Sequence, residues 1–225
     1  MQQAVTVKVL DLPVRVFHWA LAALFCFSWW SGTQGGDPLL MTYHLWSGYS
    51  IFTLLLFRIA WGFVGSTHAR FSDFLYGPRV LIEYIKRLPR RDAVRFAGYN
   101  PLGGLSVLLI FVCIALQIST GLFANDDIVT EGPLYQWVSK GTSDVLTTIH
   151  SYNFYVLLAL VSLHVAAVLF YLVYKSENLL AAIFTGNKLL LQDDDSAEEV
   201  RDPGPGLALL VIGVAALGVY LLVGA

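Results

Sequence analysis

The sequence predicts an all-α membrane protein: a four-helix transmembrane bundle followed by a fifth, C-terminal transmembrane helix. Three observations predict it. Of the 225 residues 56% are hydrophobic and only 13% are charged, with a mean hydropathy of +0.64. A soluble domain carries roughly 25% charged residues, so this chain lacks the polar surface to stay in water. Five apolar stretches reach or nearly reach the roughly 20 residues that a helix needs to cross a hydrocarbon core of about 30 Å. The segments between them alternate sharply in basic content, as the loops of a multi-pass protein do. Disordered and collagen-like classes are excluded by the same composition, and no nucleic-acid partner is expected; the net charge of −2 says nothing by itself, because the distribution of charge matters more.

The first span covers about residues 14–31. Pro13 sits in its first turn, where a missing N–H costs nothing. No small-residue cleavage site follows, so the span is expected to be retained. The second covers about 44–64. The third, 102–124, is opened by Pro101. The fourth, 146–174, is longer than a bilayer requires and is expected to tilt or project. Residues 1–191 are thus expected to form the bundle unit. Residues 192–206, acidic and containing Pro and Gly, read as a flexible tether to the last span within 207–225. Between the second and third spans, Val80, Leu81, Tyr84, Ile85 and Leu88 recur at helical spacing, which predicts a short helix lying in the interface. Residues 177–191 are expected to behave likewise.

Lys8 and Arg15 flank the first span on its N-terminal side. Arg70, Arg79, Lys86, Arg87, Arg90, Arg91 and Arg95 lie between the second and third, and Lys175, Lys188 and Arg201 follow the fourth. These are twelve of the fourteen basic residues, and alternating spans put them all on one side. The other side has Lys140 among Asp37, Asp126, Asp127, Glu131 and Asp144. The basic side is read as cytoplasmic, which places the N-terminus inside.

Cys26 and Cys113 lie within apolar runs and read as buried packing thiols. The chain has no CxxCH, so covalent c-type haem attachment is excluded, and no CxxC.

The histidines carry the functional signal. His18, His44, His150 and His164 fall inside or at the ends of apolar spans, where ionisable residues are costly and usually functional. His150 and His164 are fourteen residues apart, so one helix presents them within roughly 40° of the same direction and about 21 Å apart along its axis. The fourth span runs from outside to inside, which puts His150 near the outer end and His164 deeper toward the cytoplasm. By depth, His18 matches His164 and His44 matches His150. Such pairs, each on two helices, suit axial ligation of haem iron by neutral imidazoles. A zinc site would want three or four convergent ligands. A proton relay tolerates spaced histidines without requiring the match. Met41 is a weak alternative ligand, and His68, in the inner loop beside Arg70, reads as solvated. Gly48, Gly62, Gly103, Gly104 and Gly121 are candidates for making room for a macrocycle, and close helix packing explains them almost as well.

The runs DLPVRVFHWALA, HLWSGY, LLLFRIAWGFVGSTHARFSDF, YNPLGG and HSYNFYVLLALVSLH resemble the bacterial cytochrome b561 family, which includes b-type cytochrome subunits of nickel–iron hydrogenases. The likeness spans about residues 8–188. It implies a four-helix core with two haem b groups per chain, ligated through His18, His44, His150 and His164. It also implies a bacterial inner-membrane location and electron transfer between membrane quinone or quinol and a periplasmic redox protein such as a cytochrome c. Homodimerisation is compatible with the sequence. Haem propionates are anionic and seek cations. Arg15 and Arg70 are the candidates on the inner side, while Arg58, about four turns in from His44, either meets a propionate or snorkels to the interface. The competing readings are a proton-coupled transporter, which would show repeat symmetry, and a membrane anchor subunit of a larger redox complex. No general acid–base pair or nucleophile triad is visible, so whether the chain counts as an enzyme depends on its partners.

Overall fold

The computed structural model describes residues 4–34, 37–90, 96, 98–128, 130–191 and 202–224. Arg91, Arg95, Arg201 and residues 192–201 of the expected tether lie outside the described residues.

Among the described residues, five helices are long and apolar enough to cross a membrane. They are α1 (Leu12–Thr33), α2 (Pro38–Val64), α5 (Pro101–Gly121), α6 (Lys140–Val173) and α8 (Pro205–Val223). Shorter helices α3 (Phe71–Phe74), α4 (Pro78–Arg87) and α7 (Leu179–Thr185) lie in the connections. Several begin where a small polar side chain accepts a backbone N–H from the first turn. Asp11 takes Val14 N at 2.7 Å, Asp37 takes Leu39 N at 2.9 Å, and Asn100 takes Gly103 N at 2.7 Å. Ser139 takes Thr142 N at 3.2 Å and Asn178 takes Ala181 N at 3.0 Å. These caps start α2 and α6 about six residues before their apolar runs do, because a capped first turn tolerates polar residues that a hydropathy window rejects.

The chain groups into two compact units. The first comprises residues 1–16, 60–109 and 160–208. It holds an antiparallel ribbon of β1 (Ala4–Lys8) and β2 (Asn187–Leu191), registered from Ala4↔Leu191 to Lys8↔Asn187. The expected interfacial helix over 177–191 is therefore corrected. Only Leu179–Thr185 is helical, Gly186 at φ 84° ends it, and glycine is the residue that adopts this left-handed cap without strain. The strand's partner lies some 180 residues earlier in sequence, beyond what local periodicity registers. Lys188 pairs with Glu177 at 2.5 Å and donates to Phe96 O at 2.5 Å. Asp202 pairs with Lys8 at 2.9 Å, and that ammonium, with the Gly204 N–H, holds its carboxyl below the usual carboxylate range. The end of the tether is thus tied to β1.

Asp11 is fully buried in this unit and also accepts from Trp61 Nε1 at 2.8 Å and Ser66 Oγ at 2.6 Å. His68, read as solvated, is 5% exposed, with Nδ1 2.8 Å from Asp73 Oδ2. The charged residues around it in sequence hid a carboxylate five positions on that draws the ring inward. Gly62 and Gly104 serve this same segment rather than a macrocycle. A Cβ on Gly62 would come within 2.2 Å of the Phe71 ring, and one on Gly104 within 2.1 Å of the Phe74 carbonyl. Gly103 faces its own cap residue, Asn100.

On α4, Val80, Ile82 and Ile85 are exposed, as an interface-lying helix requires, whereas Tyr84 is buried with its hydroxyl 2.5 Å from that of Tyr171. Burial pushes the Tyr84 phenol above its ordinary range, and the Tyr171 hydrogen bond adds to the effect. Tyr84→Phe removes this one bond and keeps the ring. It is expected to lower stability by about 1 kcal/mol, measurable as the thermal midpoint in detergent.

The second unit comprises residues 17–59, 110–159 and 209–225. Phe17 packs on Phe57 and edge-on to Phe111, and Phe154 meets Phe25 and Trp29. Cys26 is exposed rather than buried; a lipid-facing surface is as apolar as a core, so an apolar run does not separate the two. Ala215 and Val219 of α8, four residues apart on one face of that helix, are buried.

Candidate haem site

The second unit brings His44 and His150 together. Their ring centroids are 6.4 Å apart and their planes are inclined at 76°. Two imidazole–metal bonds of about 2.0 Å, each with about 1.2 Å from nitrogen to ring centre, span about 6.4 Å across a single ion. The protonation pattern suits ligation as well. His44 Nδ1 donates to Ser28 O at 2.9 Å and His150 Nδ1 to Gln117 O at 2.9 Å. Each bond fixes the tautomer that leaves Nε2 as a lone pair, which is how ligating histidines are oriented.

Both rings line a cavity of 460 Å³, within the roughly 300–1,000 Å³ of small-molecule sites, together with Leu21, Phe25, Gly48, Ile114 and Phe154. A Cβ on Gly48 would meet nothing within 4 Å, so this glycine does open space. Among the described residues no cluster of three or more His, Cys, Asp or Glu is placed to hold a metal. The donor set at the cavity is a pair of close imidazoles in mostly apolar surroundings, which fits a haem and not a zinc ion.

The family profile of prokaryotic cytochrome b561 matches residues 9–186. The chain belongs to the prokaryotic cytochrome b561 family. It is a helical, multi-pass b-type cytochrome, and the cofactor that membership implies is haem b. A protein of Rhizobium leguminosarum bv. viciae is 24% identical over 222 residues, 84% of this chain and 92% of the relative. One from Azotobacter chroococcum mcd 1 is 27% identical over 193 residues, 71% and 78% of the two chains. One from Azotobacter vinelandii is 27% identical over 196 residues, again 71% and 78%. All three carry the description "Probable Ni/Fe-hydrogenase B-type cytochrome subunit". No solved structure matches.

The other residues singled out in this cytochrome are distributed as follows. His164 lies in the first unit, with Nδ1 3.3 Å from Ser106 Oγ. His18 lies in the second, half-buried and edge-on to Trp19. Met41 lines the cavity beside His44. None of the three arginines lines it. Arg15 donates to Phe184 O, and Arg70 Nε donates to Gly65 O at 3.0 Å. Arg58 is 1% exposed with its guanidinium 5.8 Å from the Phe111 ring centre. It is held inside the unit and does not snorkel to the surface, since an aromatic face offers the cation a stabilising partner there.

Sequence reasoning missed Ser28, Gly32, Gln117 and Thr120. They are small or polar residues in apolar helices, and only the fold shows that they sit against the two histidines. Nothing from α8 lines the cavity. A chain ending at Leu191 is therefore expected to retain near-full haem content in membranes, measured as a haem-to-protein ratio. Loss of haem despite normal insertion would place α8 in the cofactor-binding core.

Proposed function

We propose that the chain carries electrons across a bacterial inner membrane through two b haems, one bound by His44 and His150 and the other by His18 and His164. The observation that carries this reading is the 6.4 Å approach of the His44 and His150 rings, each with Nδ1 committed to a carbonyl. The second pair rests on the depth match along α6. In this reading the N-terminus is cytoplasmic, and Arg15, Arg58 and Arg70 offset charge on the inner propionates. Residues 1–191 form the functional bundle, and residues 192–206 and the last helix add an anchor.

Bound haem supplies one-electron redox chemistry. The protein holds the ligands, excludes water and provides a low-dielectric surrounding, and two stacked sites shorten each electron step through the apolar layer. Membrane quinol on one side and a periplasmic redox protein such as a cytochrome c on the other complete the path. A second reading is favoured by the descriptions of the relatives: the redox partner is a membrane-attached hydrogenase for which this chain serves as cytochrome subunit.

The test is an optical difference spectrum, reduced minus oxidised, of the full chain purified with haem supply ensured, followed by addition of a quinol analogue. Sharp low-spin b-type bands that the quinol restores after oxidation are expected. A colourless protein ends the cytochrome reading. Bands that quinol leaves oxidised, while hydrogenase and hydrogen reduce them, would replace quinol as donor by hydrogenase.

A further inference from the structure

We infer that residues 28–32 and 117–121 are a matched pair of positioning segments that hold the His44 and His150 imidazole planes near perpendicular. The inference rests on the ligation proposed above for this pair. The segments read Ser-Trp-Trp-Ser-Gly and Gln-Ile-Ser-Thr-Gly, and each ends its helix within a residue or so. Three contacts recur at the same spacing. The carbonyl of the first residue accepts the imidazole Nδ1–H at 2.9 Å in both. The hydroxyl of the fourth, Ser31 or Thr120, lies 3.3 Å from the same Nδ1. It also lies within reach of the carbonyl of the first, at 3.2 Å for Ser31 and 3.1 Å for Thr120, and Thr120 donates more closely to Leu116 O at 2.7 Å.

The fifth residue is glycine in both, and the imidazole lies on it. A Cβ on Gly32 would stand 3.0 Å from His44 Cε1 and 3.2 Å from its Nδ1; a Cβ on Gly121 would stand 2.9 Å and 3.1 Å from the same atoms of His150. Positions four apart lie on one helix face, so each ring is fixed between a hydrogen bond and a wall one turn further on. A rotation about Cβ–Cγ either stretches the bond or drives the ring into the backbone. The two clamps together leave the planes at 76°. On the α5 side, Asn153 Nδ2 adds a brace by donating to Gln117 Oε1 at 2.6 Å and Cys113 O at 2.9 Å.

The arrangement has electronic consequences. With haem bound through both rings, each imidazole would interact chiefly with the iron π-type d orbital normal to its own plane. Rings held near perpendicular would leave the two orbitals nearly degenerate, and a low-spin ferric signal would be highly anisotropic. The Nδ1–H···O bonds would raise ligand basicity, stabilise ferric iron and lower the reduction potential.

The test is electron paramagnetic resonance of the oxidised full chain, with the signal of this haem identified as the one that disappears in His150→Ala. A highly anisotropic signal, with its largest g value well above that of a parallel-plane bis-imidazole standard, is expected. Gly121→Ala and Gly32→Ala are expected to keep the haem, shift its signal toward the rhombic type and raise its midpoint potential. If a glycine variant loses this haem, Thr120→Val and Asn153→Leu leave the ring its space and are expected to shift the signal and the potential in the same directions, by less. A rhombic wild-type signal overturns the inference, as do unchanged signals and potentials across the variants that bind haem. If neither His44→Ala nor His150→Ala loses haem, the ligation itself is wrong, a failure distinct from that of the positioning role.

Discussion

Replacing His150 by alanine is expected to remove about half of the bound haem and leave a b-type spectrum from the remainder. The imidazole is one of two whose ring centres lie 6.4 Å apart at the cavity, and an iron held by both would lose affinity and its low-spin band shape with either one removed. His44→Ala is expected to give the same spectrum and the same loss, because either change empties one site. His164→Ala is expected to leave the complementary spectrum, that of the His44 and His150 haem alone. The double variant His150→Ala with His164→Ala should bind no haem. Pyridine haemochrome content per protein, measured on each purified variant, checks all four outcomes. A common spectrum for His150→Ala and His164→Ala would mean that the two histidines serve one haem.

Asp11→Ala is expected to produce the largest loss of stability among single substitutions outside the haem site. One buried carboxylate accepts three bonds, from Val14 N, Trp61 Nε1 and Ser66 Oγ. Alanine removes the cap of α1, worth about 1 kcal/mol, and leaves buried donors unsatisfied at about 1–3 kcal/mol each. A total loss of about 3 kcal/mol or more follows, at the high end of what single substitutions do. Asp11→Asn keeps an acceptor oxygen and is expected to lose markedly less. Thermal midpoints in detergent, read by tryptophan fluorescence, separate the two. Equal midpoints for Asp11→Ala and wild type would contradict the role assigned to the carboxylate.

The legible part of the fold was the part that hydrophobicity encodes. Five spans are apolar because lipid is, and His44 and His150 stand out because imidazoles are rare in such segments. Length was less legible, since Asp37 and Ser139 start their helices among polar residues. The β1–β2 ribbon was invisible, because Ala4–Lys8 and Asn187–Leu191 acquire strand character only by pairing across nearly the whole chain. His68 was misread for a similar reason, as its burial depends on Asp73 turning back toward it. At the haem site the ligand candidates were readable and their supports were not. Gly121 is read as room for a macrocycle or as close packing, and it lines the cavity with the His150 ring packed against it. Gly32 and Gln117 gave no signal, because a backbone carbonyl and an absent side chain leave no pattern in a sequence.

We propose that this chain binds two haems through His18, His44, His150 and His164. The most direct measurement is the haem b content of the full-length chain, purified with haem supply ensured and set against quantitative amino-acid analysis. Two haems per chain, both low-spin, are expected. A single haem per chain, or a high-spin spectrum from either one, would contradict the account.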